Sequence, residues 1–268
     1  PTLFVDDLSI ELSGEDDHIL FHIAGFTEKT TQRIHTDGME VSQTKSVVSA
    51  SHPSLTDDLT TKLMPLGIKH AKRVKSLGVG LAAGSSRNAK VMRTGLKSCK
   101  ARLPRFQALK RAGVDTARIV KTGGVAALMH GYAGSGVAPS MLLAQRRAAN
   151  AAAAPKGGLG GQELETAMMV ADGTKKGSAD PAFPAHMEVV HHWAQAVWNR
   201  WLPKHALQTS LEYARARITN AVRPWSLVNG PAAALLCTLQ SVGWTVIDAT
   251  TVVDDEGRQF DLETDPPI

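Results

Sequence analysis

Thr2-Leu3-Phe4-Val5-Asp6-Asp7-Leu8-Ser9-Ile10-Glu11-Leu12-Ser13-Gly14 is the stretch on which the reading of this chain turns. Thr2 to Val5 is a short apolar run. Leu8 to Leu12 alternates apolar and polar residues, the period of a strand with one buried face. Asp6 and Asp7 stand between the two runs, so the stretch predicts a β-hairpin with two carboxylates at its tip. Adjacent carboxylates repel each other unless a cation lies between them. Hard oxygen donors of this kind suit Mg²⁺.

Working outward, residues 15–36 place Ile19, Leu20, Ile23, Ala24, Phe26 and Ile34 at helical spacing. Residues 38–42 and 45–49 read as strands. Pro53-Ser54 opens a short helix over 54–66, with Ser54 as its N-cap. Residues 68–81 contain Leu77-Gly78-Val79-Gly80 and predict a second hairpin. From Ser86 onward helices dominate. Two basic ones, 89–103 and 105–112, are expected to part at Pro104. An Ala-rich helix covers 138–154, and Pro155 to Gly161 is a glycine-rich linker. Further helices fall near 162–171, 184–202, 204–220 and 230–242. The tail, 244–262, predicts a strand and a hairpin turning at Asp255-Glu256-Gly257. The expected class is α+β, divided into 1–85, 86–154 and 162–268.

The 268 residues carry a formal net charge of +5, which conceals a steep gradient. Residues 1–61 hold three Lys/Arg and eleven Asp/Glu, whereas residues 62–121 hold sixteen Lys/Arg and one acid, Asp115. Residues 122–268 hold eleven Lys/Arg and thirteen Asp/Glu, close to balance. A run of cations this one-sided is a candidate polyanion surface, because Lys and Arg replace the counterions of phosphates. Two cysteines, Cys99 and Cys237, exclude a disulfide framework and a zinc site of four thiolates. No run approaches the roughly 18 apolar residues of a membrane span. The chain starts on Pro1, not Met, and reads as a processed piece, an engineered piece or an incomplete reading frame.

The order of motifs carries a resemblance. Phe4-Val5-Asp6-Asp7 resembles the (Tyr/Phe)-x-Asp-Asp motif C of reverse transcriptase palms. About thirty residues on, past a helix, Gly38-Met39-Glu40-Val41-Ser42-Gln43-Thr44-Lys45-Ser46 resembles motif D, in which a Gly–apolar strand leads to a Lys-Ser or Lys-Thr pair. After a similar interval, Val74-Lys75-Ser76-Leu77-Gly78-Val79 resembles motif E, the primer-grip hairpin. Phe4 is similar to non-LTR elements and Val5 to retroviral-type enzymes. The resemblance covers residues 1–85, and the basic helices that follow stand where the family carries its thumb.

The family implies a partial palm of hairpins and two helices, a mainly α-helical thumb and a helical C-terminal domain. It implies that Asp6 and Asp7 ligate metal, two Mg²⁺ or Mn²⁺ ions being used by the intact enzyme. Lys45 would protonate the pyrophosphate leaving group, and Leu77 and Gly78 would hold the primer. The partners implied are an RNA template, a DNA primer and deoxynucleotides, in the nucleus or a cytoplasmic ribonucleoprotein. Lys90, Arg93, Lys97, Lys100, Arg102 and Arg105 are the expected nucleic-acid contacts in the basic segment. Cut off from its fingers, such a palm is expected to expose an edge strand and apolar surface.

Other patterns carry less. His191-His192 with His186 has no third ligand nearby, and adjacent histidines on a helix point to different faces. Trp193, Trp198 and Trp201 read as core or a helix interface. Gly123-Gly124 could open a helix toward a phosphate, and Cys99 on a basic helix could be reactive. The sequence thus leaves two readings. One is a fragment of a reverse transcriptase. The other is a non-catalytic, basic, helical nucleic-acid-binding protein from a decayed or domesticated element. On the first reading motif A and the fingers lie outside this piece. The chain given Mg²⁺, a primed template and nucleotides is then expected to extend no primer in a gel assay.

Overall fold

A computed structural model describes residues 2–4, 7–76, 79–84, 87–154, 164, 168 and 179–267. The class is α+β, with helices predominating and four small sheets among the described residues. The chain divides into two compact units, Pro1–Val74 with Leu81–Gly84, and Lys75–Gly80 with Ser85–Ile268. The division passes through one β-hairpin.

The first unit opens with the expected hairpin. β1 (Thr2–Phe4) pairs antiparallel with β2 (Asp7–Ser9), with Leu3 opposite Leu8 and Phe4 opposite Asp7. Asp7 is therefore the first residue of a strand, and Asp6 lies outside the described residues. α1 (Asp16–Thr36) follows, with Asp16 and Asp17 in its first turn and Arg33 and His35 in its last, each set matched to the helix dipole. The strand expected over 38–42 is absent. Asp37 and Gly38 form the turn that ends α1, and a second turn spans Gln43 to Lys45. β3 is Val47–Val48, and it pairs in parallel with β4 (Lys69–His70).

α2 (Pro53–Leu63) begins one residue earlier than its sequence signal. Pro53 takes the first helical position, so His52 is the N-cap and Ser54 lies inside. The His52 ring reaches both ways, Nδ1 to Ser54 Oγ at 3.0 Å and Nε2 to Asp16 Oδ1 at 3.0 Å. That ties the start of α2 to the start of α1. The core of this unit is thin: Leu55, Leu59 and Leu63 of α2 with Ile68 and Thr31. Phe21, Phe26, Met39, Met64 and Leu81 stay exposed.

The hairpin of β5 (Arg73–Ser76) and β6 (Val79–Ala82) leads into the second unit. α3 (Lys90–Arg111) runs through Pro104 without a break, contrary to the expected division there. Proline forfeits one backbone hydrogen bond. The apolar face of α3 continues past it: Met92 before the proline and Leu103 and Phe106 after it pack in one core, and Leu96 is buried as well. α4 (Thr116–Ile119), a π-helical turn (Val120–Gly124) and α5 (Val125–Met129) run on continuously. Gly123 and Gly124 therefore lie inside a helical run and open no helix toward a phosphate.

α6 (Pro139–Ala153) packs against α3. Three of its last carbonyls find donors. Ala154 N–H closes the helix onto Asn150 O at 2.8 Å, and two carbonyls the helix leaves over accept from side chains, Ala151 O from Lys110 Nζ at 3.0 Å and Ala152 O from Thr116 Oγ1 at 2.7 Å. Within the helix, buried Gln145 donates through Nε2 to the Tyr132 hydroxyl at 2.8 Å. The linker reading at 155–161 and most of the helix expected over 162–171 lie outside the described residues; Leu164 and Met168 are helical and buried.

α7 (Ala182–Trp198), α8 (Lys204–Ile218) and α9 (Pro231–Ser241) build a second core with the C-terminal strands. Arg146 on α6 forks onto Asp180, Nε to Oδ1 at 2.9 Å and Nη2 to Oδ2 at 2.6 Å. Asp180 Oδ1 also accepts from Ala182 N–H at the start of α7, so one carboxylate fixes α7 to α6. The tail is more than a strand and a hairpin. β7 (Thr245–Val246), β8 (Thr251–Val253) and β9 (Gln259–Asp261) form a three-stranded antiparallel sheet. Trp193 lies in this core and donates through Nε1 to Ala249 O at 2.9 Å.

Two measurements probe this packing. The Arg146 and Asp180 side chains are 14% and 17% exposed. R146M strands that carboxylate, and a loss of about 3 kcal/mol in urea denaturation is expected. Burial pushes the Tyr132 hydroxyl up to about 12, against the Gln145 hydrogen bond and Arg87, which pull it down. An unfolded tyrosine ionises near 10. The Tyr132 contribution is therefore complete below pH 10 and fades as pH rises toward 12. It amounts to about 3 kcal/mol. A pH series of denaturation midpoints should show this decline in the native sequence and lack it in Y132F.

Candidate nucleic-acid interface

α3 carries eight Lys/Arg and no acid over its 22 residues. An α-helix advances about 100° per residue. Met92, Leu96, Cys99, Leu103 and Phe106 then share one side, the side that faces the core. Lys90, Arg93, Lys97 and Lys100 follow one another at intervals of 3, 4 and 3 residues on a neighbouring side, and all four are exposed. At ~1.5 Å per residue the row is ~15 Å long. None of the four is ion-paired with a carboxylate among the described residues.

The six cations expected to act together divide. Arg102 and Arg105 are exposed as well, but they leave the row. Counting around the helix, Arg105 falls about 100° from the row's centre and Arg102 about 160° from it. Arg111 was not among the expected contacts. It is exposed and lies eleven residues after Lys100, a separation that returns to the same side. Its spacing was the signal that could have found it.

Two further cations of the basic segment are structural. Lys110 stands eighteen residues after Met92, on the core side, and its ammonium caps α6. Burial lowers its pKa. Arg87 lies just before α3, half-buried. Its Nη2 donates to Ser135 O at 2.9 Å and to Gly136 O, and its Nη1 donates to Trp225 O at 3.3 Å. The guanidinium also lies over the Trp225 ring, 5.3 Å from its centroid. Burial lowers its pKa too. Gly136 makes this closure possible: its φ is +56°, and a Cβ there would stand 2.9 Å from Trp225 Cζ3.

Of the remaining sequence candidates, Leu77 and Gly78 lie outside the described residues, as does Asp6. The glycine of that hairpin on which another segment closes is Gly80. A Cβ there would stand 2.8 Å from Asn88 O, so the strand could not pass Asn88 with any side chain. Lys45 is exposed in the turn before β3, and its ammonium has no partner among the described residues. Asp7 shares the first unit with Lys45. Among the described residues no three or more His, Cys, Asp or Glu side chains gather as a metal site.

Cys99 is half-buried toward the core. Burial pushes its thiol up, with Arg102 acting against it, so the helix does not activate it. The acidic turn of the tail is likewise engaged. Asp254 accepts from Glu256 N–H at 2.9 Å, from Arg258 N–H at 2.8 Å and from Arg258 Nε at 2.8 Å. Burial raises its carboxyl, and these bonds outweigh it and hold the pKa low. The tryptophans separate: Trp193 is core, while Trp198 and Trp201 are 42% and 52% exposed.

No helix among the described residues is long and apolar enough to cross a membrane. No family model, no curated protein and no solved structure matches the chain.

Proposed function

We propose that this chain is the nucleic-acid-gripping part of a reverse transcriptase, binding an RNA template and DNA primer through the unpaired row on α3. The observation that carries the reading is that row: Lys90, Arg93, Lys97 and Lys100, aligned, exposed and without a carboxylate partner among the described residues. Phosphates on one strand of a duplex rise about 3.4 Å each along the helix axis, so ~15 Å of cations spans the rise of four to five of them. The hairpin–helix–hairpin order before the row, with Asp7 at the first hairpin and Lys45 exposed, supports the palm reading.

In the intact parent, Asp6 and Asp7 would hold Mg²⁺ or Mn²⁺, which supply the charge that activates a primer 3′-hydroxyl and stabilises the leaving pyrophosphate. Carboxylate oxygens suit these ions in kind, while two neighbours on one hairpin fall short of the donor number such an ion takes. Lys45 would bring a proton to the leaving group, and Leu77 and Gly78 would lie along the primer. The second reading, a non-catalytic nucleic-acid-binding protein, draws on the same basic row without the carboxylates. Both readings place the grip on α3.

The test is fluorescence anisotropy with an RNA–DNA duplex over a salt series. Four phosphate contacts give a slope of log affinity on log salt of about −3 to −4. R93A/K97A is expected to lower affinity on the order of 50-fold near 0.1 M salt and to take about 2 off the slope. R102A, on the far side of the helix, should leave both within twofold. Equal losses from R102A and R93A, or a slope unmoved by R93A/K97A, would remove the row from the interface.

A further inference from the structure

His18 and His22 stand one turn apart near the start of α1. Both are exposed. Their ring centroids are 4.3 Å apart, with the planes inclined at 52°. His18 Nδ1 lies 3.6 Å from the point a Cβ on Gly14 would occupy, so that nitrogen faces the chain entering the helix. Nε2 is the donor left for a ligand. Three residues past His22, Gly25 carries no side chain, and a Cβ there would meet nothing within 4 Å. The helix surface beside the rings is open.

We propose that His18 and His22 form a two-point site for a borderline divalent cation, Zn²⁺, Cu²⁺ or Ni²⁺, with water filling the other positions. A separation of four residues is how a helix offers two imidazoles to one ion. An ion about 2.1 Å from each nitrogen holds the two nitrogens roughly 3 Å apart. Rings whose centroids already lie 4.3 Å apart, on a side-chain pair with open surface beside it, are close enough to share one ion. Imidazole favours these ions over Mg²⁺, with Cu²⁺ held most tightly. The site is therefore chemically separate from the carboxylates at Asp6 and Asp7, and it holds whether or not the chain grips nucleic acid. Since the ion joins two successive turns, it binds the folded helix and stabilises it by mass action.

Isothermal titration of the full chain with Zn²⁺, Ni²⁺ and Cu²⁺ tests this. One ion per chain is expected, with affinity falling at least tenfold in H18A and equally in H22A. The double variant should be no weaker than either single one, because a chelate is lost with its first arm. The decisive control is E28H/H22A. Glu28 is exposed, so the change is tolerated, and all ten histidines of the chain remain in number. It moves one imidazole ~15 Å along the helix from His18, out of reach of a shared ion, and it should bind as poorly as H22A. The ion should raise the melting temperature of the native chain and leave these variants unmoved. Affinity retained in H18A or H22A, or in E28H/H22A, would overturn the proposal by placing the ion on other histidines.

Discussion

Sixteen cations share residues 62–121 with one acid. That acid, Asp115, is committed to the backbone: its Oδ1 accepts from Ala117 N–H and starts α4. Internal ion pairing therefore cannot neutralise this segment, and each cation needs water or another acceptor. The structure uses both solutions. Arg87 and Lys110 turn inward onto carbonyl oxygens, those of Ser135, Gly136, Trp225 and Ala151. The carbonyls at the end of α6 are ones the helix itself leaves unbonded. One shortage answers the other: surplus donors on α3 meet surplus acceptors on its neighbour. The other cations of α3 stay in water, and this keeps the helix core-facing on one side alone.

The first unit has the opposite charge and a different difficulty. Its sheets are pairs of strands, and β3 and β4 have two residues each. Such ribbons enclose little. α2 supplies most of the buried side chains, while α1 leaves Phe21 and Phe26 in solvent. The His52 bridge between the starts of α1 and α2 is largely exposed, with side chains 43% and 53% accessible, so its contribution is small. α1 packs against α2, whose buried leucines, Leu55, Leu59 and Leu63, are spaced by four.

The sequence made the long elements legible because periodicity survives without context. α1, α6, α8 and α9 fall within a few residues of where apolar spacing puts them. The errors come from places where a local rule met a tertiary contact. Pro104 should end a helix, yet α3 continues because its apolar face is buried on both sides of the proline. Residues 38–42 have strand composition, but no neighbouring strand pairs with them among the described residues, and they form the exit from α1. In the basic segment, composition showed that cations were in excess, and helical counting showed which share a side. Neither could show that Arg87 is an internal staple, since its acceptors lie 48 to 138 residues further along the chain.

The absence of ion pairs along the α3 row has a direct physical consequence. A surface cation already held by a carboxylate must give up that partner before it meets a phosphate, and the exchange cancels much of the gain. Lys90, Arg93, Lys97 and Lys100 have no such partner among the described residues, so contact with a polyanion displaces only its condensed counterions. The row also has no aromatic or amide side chain along it: Val91, Thr94, Leu96 and Ser98 intervene. A straight line of point charges follows a phosphate backbone and has few groups with which to read base edges. The charge surplus that shapes the packing of the second unit therefore also sets what its exposed face would offer a polyanion, a contact tolerant of sequence and sensitive to salt.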